Sequence, residues 1–194
     1  VYKRQSKNCI NIMEIRKVDN SVNELLDGPT LDASALAGKI QRLHIFFSLL
    51  IPDMSHEEKQ LLDEALIKTY ARKGITHKNE SLTDPQHPEQ YKKMPILEDV
   101  YNVLLESEDT KRLAHILNRL VHGSASSFNQ QTNVDLTNKY TVLDISELTG
   151  SSDLLTVGMF VALDYVWDKA KENRTEEKAI FVLSLIHISE PTRP

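Results

Sequence analysis

The chain has 194 residues, 40% hydrophobic and 26% charged, which fits one compact soluble domain long enough for a real core. Its formal net charge of -5, with no Arg/Lys stripe, argues against holding nucleic acid by itself, because phosphate neutralisation supplies most of that affinity. One cysteine, Cys9, excludes an internal disulfide, and the longest apolar stretch, Leu154 to Trp167, is broken by Thr156, Gly158 and Asp164, short of the roughly 20 residues a membrane helix needs.

The two ends encode each other. Val1-Tyr2-Lys3-Arg4-Gln5 back-translates as GTG TAT AAG AGA CAG, whose reverse complement reads Leu-Ser-Leu-Ile-His, the residues from Leu183 to His187. Both stretches resemble the transposase-end adapter of sequencing libraries, and Ile188 to Pro194 resembles its continuation. Residues 1–5 and 183–194 are therefore expected to be adapter-derived and the natural protein to run through 6–182, open at both ends. Removing Lys3, Arg4 and Arg193 from the 23 basic residues and Glu190 from the 28 acidic ones leaves 20 against 27, a net charge of -7.

Cys9 to Ile15 alternates apolar and polar positions with β-branched residues, the pattern of a short strand or an extended entry. After the Gly28-Pro29 turn, Leu36, Ile40, Leu43, Phe47 and Leu50 recur at helical spacing within 33–51, and Pro52 ends that helix. Ser55-His56-Glu57-Glu58 is a capping box, opening a helix whose inward stripe is Leu62, Ala65, Leu66 and Tyr70 and which stops at Gly74. Ile75 to Met94 is polar, with Pro85 and Pro88, and reads as a surface loop. Pro95 opens a helix over 96–106; Asp109 reads as the cap of the next, with Leu113, Ile116, Leu117 and Leu120 inward and Gly123 as its stop.

From Ser124 the texture changes. A joint of small residues leads to Phe128 to Asn138, and Tyr140 to Ile145 alternates as a strand. A helix of about Asp153 to Asn173, apolar almost all round, follows. Ala179 to Val182 reads as a buried strand, so 124–182 is expected to form a right-handed βαβ unit in a parallel sheet.

Several motifs have the residues of a site without its spacing. His77, His87, His115 and His122 have no partner cysteines for a zinc set, and His56-Glu57-Glu58 lacks the second histidine of a zinc protease helix. Ser124 lacks the flanking glycines of a nucleophile elbow. Glu106, Glu108 and Asp109 are accounted for by a helix end and a cap. Gly38-Lys39 has Ala33 and Ile40 where a phosphate loop needs glycine and Ser/Thr, and it falls inside a helix. No catalytic, cofactor-binding or metal-ligating residue is assigned.

The assembled order of Phe128 to Leu136, Tyr140 to Ile145, Leu154 to Trp167 with Val157-Gly158-Met159, Glu172-Asn173-Arg174 and Lys178 to Val182 resembles the large conjugation ATPases of type IV secretion systems, the TraC/TraE/VirB kind with a TraG-like P-loop C-terminal motor domain. Ile10-Asn11-Ile12-Met13 resembles that family's Asn-Pro strand exit, with Ile12 in place of the proline. The resemblance covers essentially all of 6–182 and implies an α/β fold: a partial RecA-like P-loop NTPase core with a parallel sheet, carrying an all-α insertion at 33–121. It implies a parent ATPase that uses ATP and Mg²⁺, with the Walker A loop upstream of Cys9 and the acidic pair of Walker B after Ala179 to Val182, so that residues 6–182 alone bind neither and are inactive. It also implies a homo-oligomer, a hexamer, working with other secretion components on the cytoplasmic face of the cell membrane. The alternative reading is a non-catalytic helical protein-interaction module.

Overall fold

The computed structural model describes residues 9–16, 34–134, 143 and 152–172. Five α-helices carry it: α1 (Ala35–Leu50), α2 (His56–Arg72), α3 (Leu97–Leu104), α4 (Lys111–Val121) and α5 (Ser152–Glu172). Short 3₁₀ turns at Asn79–Leu82, Glu108–Thr110 and Ser126–Phe128 lie between them.

Local signals set most of these boundaries. Ser34 Oγ accepts from the Ala37 amide at the start of α1, and the Ile51 amide closes it on Phe47 O at 2.8 Å. The capping box of α2 is complete, with Ser55 Oγ accepting from Glu58 N at 3.1 Å and Glu58 accepting from Ser55 N at 2.9 Å. Gly74 then leaves the helix at φ +70°, the left-handed region that glycine enters without a Cβ penalty. The start of α3 is held by Asp99, whose carboxylate accepts from the Ile96 amide at 2.9 Å. At Gly123 the chain folds back over its own helix so tightly that a Cβ would stand 2.8 Å from the Arg119 Cα and carbonyl oxygen.

α1 to α4 share one core, in which Leu43, Phe46, Phe47, Leu62, Leu66, Tyr70, Leu97, Val100, Leu113 and Leu117 are fully buried. Leu154, Val157 and Val161 of α5 join the same core.

The described architecture is α-helical, which corrects the expected α/β class with its parallel sheet. Among the described residues there is no β-strand, and the one β-type pairing is the isolated Thr83–Tyr91 bridge inside the 75–94 loop. The alternation of Cys9 to Ile15 has a different cause: it is a buried strap with a turn at Ile12 and Met13. Side chains, rather than a neighbouring strand, satisfy much of its backbone. Cys9 N donates to Asn133 Oδ1 at 2.7 Å, Asn11 N to Thr132 Oγ1 at 2.9 Å and Met13 N to Asn11 Oδ1 at 3.0 Å. The strands expected at Tyr140 to Ile145 and Ala179 to Val182, and both adapter-like ends, lie outside the described residues, apart from Leu143.

Asp109 does not cap α4. No side chain caps it; instead the buried Thr110 donates its hydroxyl to Leu104 O at 2.5 Å and Ser107 O at 3.2 Å, tying the end of α3 to the turn before α4.

Asn11, wholly buried, is the hub of the strap. Its amide nitrogen donates to Pro95 O at 2.9 Å and to Gln131 Oε1, while Gln131 donates onward to Met94 O. Asn11→Asp keeps the shape but turns a carboxylate oxygen on the Pro95 carbonyl. We expect a loss of about 3 kcal/mol at pH 7, from an uncompensated buried charge. The loss should shrink toward pH 4, where the carboxyl holds a proton it can donate. Urea denaturation at the two pH values measures both, and an Asn11→Asp chain as stable as the unaltered one at pH 7 contradicts the assigned hydrogen bonds.

Candidate functional site

The sequence reading of α5 as apolar almost all round misses how its faces are used. Leu163 and Trp167 are 48% and 60% exposed, while the Asp164 and Asp168 side chains between and beside them are only 7% and 3% exposed. The inversion has a cause on the facing elements. α1 presents Lys39 and Arg42, one turn apart, and the strap presents Arg16.

These groups form a line of alternating charge. Lys39 Nζ lies 3.5 Å from Asp164, Arg42 Nη1 lies 3.1 Å from Asp164 and 2.5 Å from Asp168, and Arg16 Nη1 lies 3.0 Å from Asp168. Arg16 Nε then reaches Glu14 at 3.3 Å, and Glu14 accepts from Thr132 Oγ1 at 2.5 Å. Three cations thus face three carboxylates. The line runs from Lys39, fully buried, to the half-buried Glu14. Tyr165 reinforces the strap end: the Arg16 guanidinium lies 4.2 Å over its ring, and its hydroxyl donates to Val134 O at 2.8 Å. α5 therefore grips both extended segments, 9–16 and 129–134, which are already tied to each other.

Burial pushes the Lys39 ammonium down from its ordinary 10.5 to about 8, with Asp164 opposing that shift and Arg42 and Arg16 adding to it. The mid-line Arg42 reaches solvent, as Glu14 does at the end of the line. It stands with Asp164 at the edge of an open groove of about 370 Å³ between α1 and α5, lined otherwise by Ile45, Phe160, Leu163 and Trp167.

Residues singled out in the sequence are not brought together. Gly38 and Lys39 lie within α1, where the Gly38 amide makes a helical bond to Ser34 O and Lys39 faces Asp164. His77 Nδ1 lies 3.3 Å from Ser34 Oγ at the surface, and His122, just past the end of α4, packs edge-on against Tyr101. Glu106 clamps α2 through Lys68 at 2.8 Å and Arg72 at 2.6 Å, and these partners hold its carboxyl below the usual range. Ser126 and Ser127 of the small-residue joint begin a 3₁₀ turn over a buried Ala125. Among the described residues no cluster of three His, Cys, Asp or Glu side chains could hold a metal ion.

The charged line was not legible in sequence, because its bonded pairs lie up to 152 residues apart. One signal was present. Lys39 falls three residues after Leu36 and four before Leu43, on the apolar stripe, which implies a buried cation in need of a carboxylate.

No family model matches the chain, and no curated protein matches it. Among solved structures it is similar to VirB4 of Thermoanaerobacter pseudethanolicus, with a TM-score of 0.70 and 24% identity, over 87% of this chain and 60% of that one. At that identity the likeness is one of fold. The chain spans less than two thirds of the length of the protein it resembles.

Because Lys39 binds its proton less tightly in the fold than in the unfolded chain, its contribution to stability is missing below pH 8 and is gained as the pH rises from about 8 to 10.5. Between pH 7.5 and 9.5 this should add about 2 kcal/mol. Lys39→Met should lack the gain. Urea midpoints at the two pH values measure it, and an equal rise in both proteins contradicts the burial of the Lys39 charge.

Proposed function

We propose that the chain is part of an ATP-driven motor of the type IV secretion class, which energises assembly of a conjugative channel or transfer of DNA through it. The observation that carries this reading is the fold likeness to VirB4 over 87% of the chain, reached independently of the residue order from Phe128 to Val182 that resembles conjugation ATPases. In this reading ATP and Mg²⁺ are bound by the intact protein through a P-loop preceding Cys9 and an acidic pair following Val182. Positioning of phosphates and metal supplies nearly all the catalysis in phosphoryl transfer. The intact protein works as a homo-oligomer, a hexamer, with other secretion components on the cytoplasmic face of the membrane. Among the described residues no helix is long and apolar enough to cross one.

The all-helical character of the described residues favours a second reading, a non-catalytic module that docks other proteins. The two readings part on the gene. Read beyond both ends, it should encode Gly-x-x-x-x-Gly-Lys-Ser/Thr a few tens of residues before Cys9 and Asp-Glu directly after Val182. An uninterrupted frame with neither motif leaves the interaction module. The 194-residue chain itself should show no magnesium-dependent ATP turnover above a control preparation. Turnover in that assay would mean that nucleotide chemistry is carried by residues assigned no such role.

A further inference from the structure

The line of charges adds polar links between elements that also meet in the shared core. Arg42 belongs to α1 and Arg16 to the strap; each meets Asp168 of α5, and no direct bond links the two arginines. Arg42 also holds Asp164, which holds Lys39. α5 can leave α1 only by uncovering two carboxylates whose side chains are less than a tenth exposed. The strap's outer end is fixed by Arg16 to that same helix, while its inner end is fixed to the helical block by Asn11 on Pro95 and by the Tyr70 hydroxyl on Met13 O at 2.5 Å.

We propose that Arg16, Asp168, Arg42, Asp164 and Lys39 form an ionic latch that makes the seating of α5 on α1 and the ordering of the 9–16 strap one two-state event, so that whatever lifts α5 also frees the strap. The groove beside Arg42 gives that event an entrance from solvent, because Arg42 and Asp164 both line it. The alternative is a set of independent static pairs, and the two differ in sign. If the pairs are static, removing Arg42 leaves Arg16 as the sole partner of a buried Asp168, so losing Arg16 next costs as much as before or more. If they form a latch, the first substitution opens it, Asp168 reaches water, and the second costs little.

The test is a double-substitution cycle, Arg42→Met and Arg16→Met, read by hydrogen exchange at the hydrogen-bonded amides of Cys9, Asn11 and Met13 and at those of α5. A latch predicts that Arg42→Met, at a residue with no hydrogen bond or ion pair to the strap, speeds exchange at the strap amides on the order of tenfold. The double variant should exchange no faster than the faster single one, with α2 and α4 amides unchanged. Three results would overturn the proposal: strap amides that stay protected in Arg42→Met, double-variant rates that equal or exceed the product of the single effects, or acceleration spread equally over α2 and α4. Should either Met variant fail to fold, Arg42→Lys and Arg16→Lys, which keep the charge and lose the planar fork, are read in the same cycle by the same sign.

Discussion

Two aspartates on one helix face, Asp164 and Asp168, constrain the arrangement of everything around them. A carboxylate without water must have cations and hydrogen-bond donors at contact distance, or it gives up its charge. α5 therefore seats where Lys39, Arg42 and Arg16 can all reach it, and the strap is placed by the same requirement. Such a group of ions does not have to add stability, since a well-packed apolar replacement can do as well; what it fixes is register. Leu154, Val157 and Val161 hold α5 to the core, while its two carboxylates one turn apart meet cations on α1 and the strap.

The strap shows how a non-sheet segment can be buried without leaving polar groups unpaired. Cys9, Asn11 and Met13 donate their amides to Asn133, Thr132 and Asn11 side chains, so amide and hydroxyl groups substitute for a neighbouring strand. Among the described residues no buried side-chain nitrogen or oxygen lacks a partner. Glu14 then links this polar seam to the charges, because it accepts from Thr132 and pairs with Arg16.

The helices were legible in sequence where local chemistry decides them. Ser55 with Glu58, Gly74 in the left-handed region and the apolar stripe from Leu36 to Phe47 all act within a few residues. Asp109 looked like a cap by the same logic, but α4 starts without a side-chain cap, and Thr110 beside it donates to the Leu104 and Ser107 carbonyls instead. Alternation in Cys9 to Ile15 misled because period two records burial on both sides of an extended segment and cannot say whether its partners are strands or side chains. The candidate site was the least legible part: Lys39 and Asp164 are 125 residues apart, and a lone Asp164 in an apolar run reads as an interruption until the cation is known. The fold likeness to VirB4 of Thermoanaerobacter pseudethanolicus extends over 60% of that protein's chain.

If α5 and the strap are one unit, the unaltered chain should reveal it in the urea dependence of hydrogen exchange under native conditions. The amides of Cys9, Asn11 and Met13 and those of α5 around Asp164 should share one opening free energy and one urea slope, distinct from or merging with the isotherm of the α2 and α4 core. Strap amides that follow the α2 and α4 core while α5 opens separately, with a smaller slope, would contradict the account.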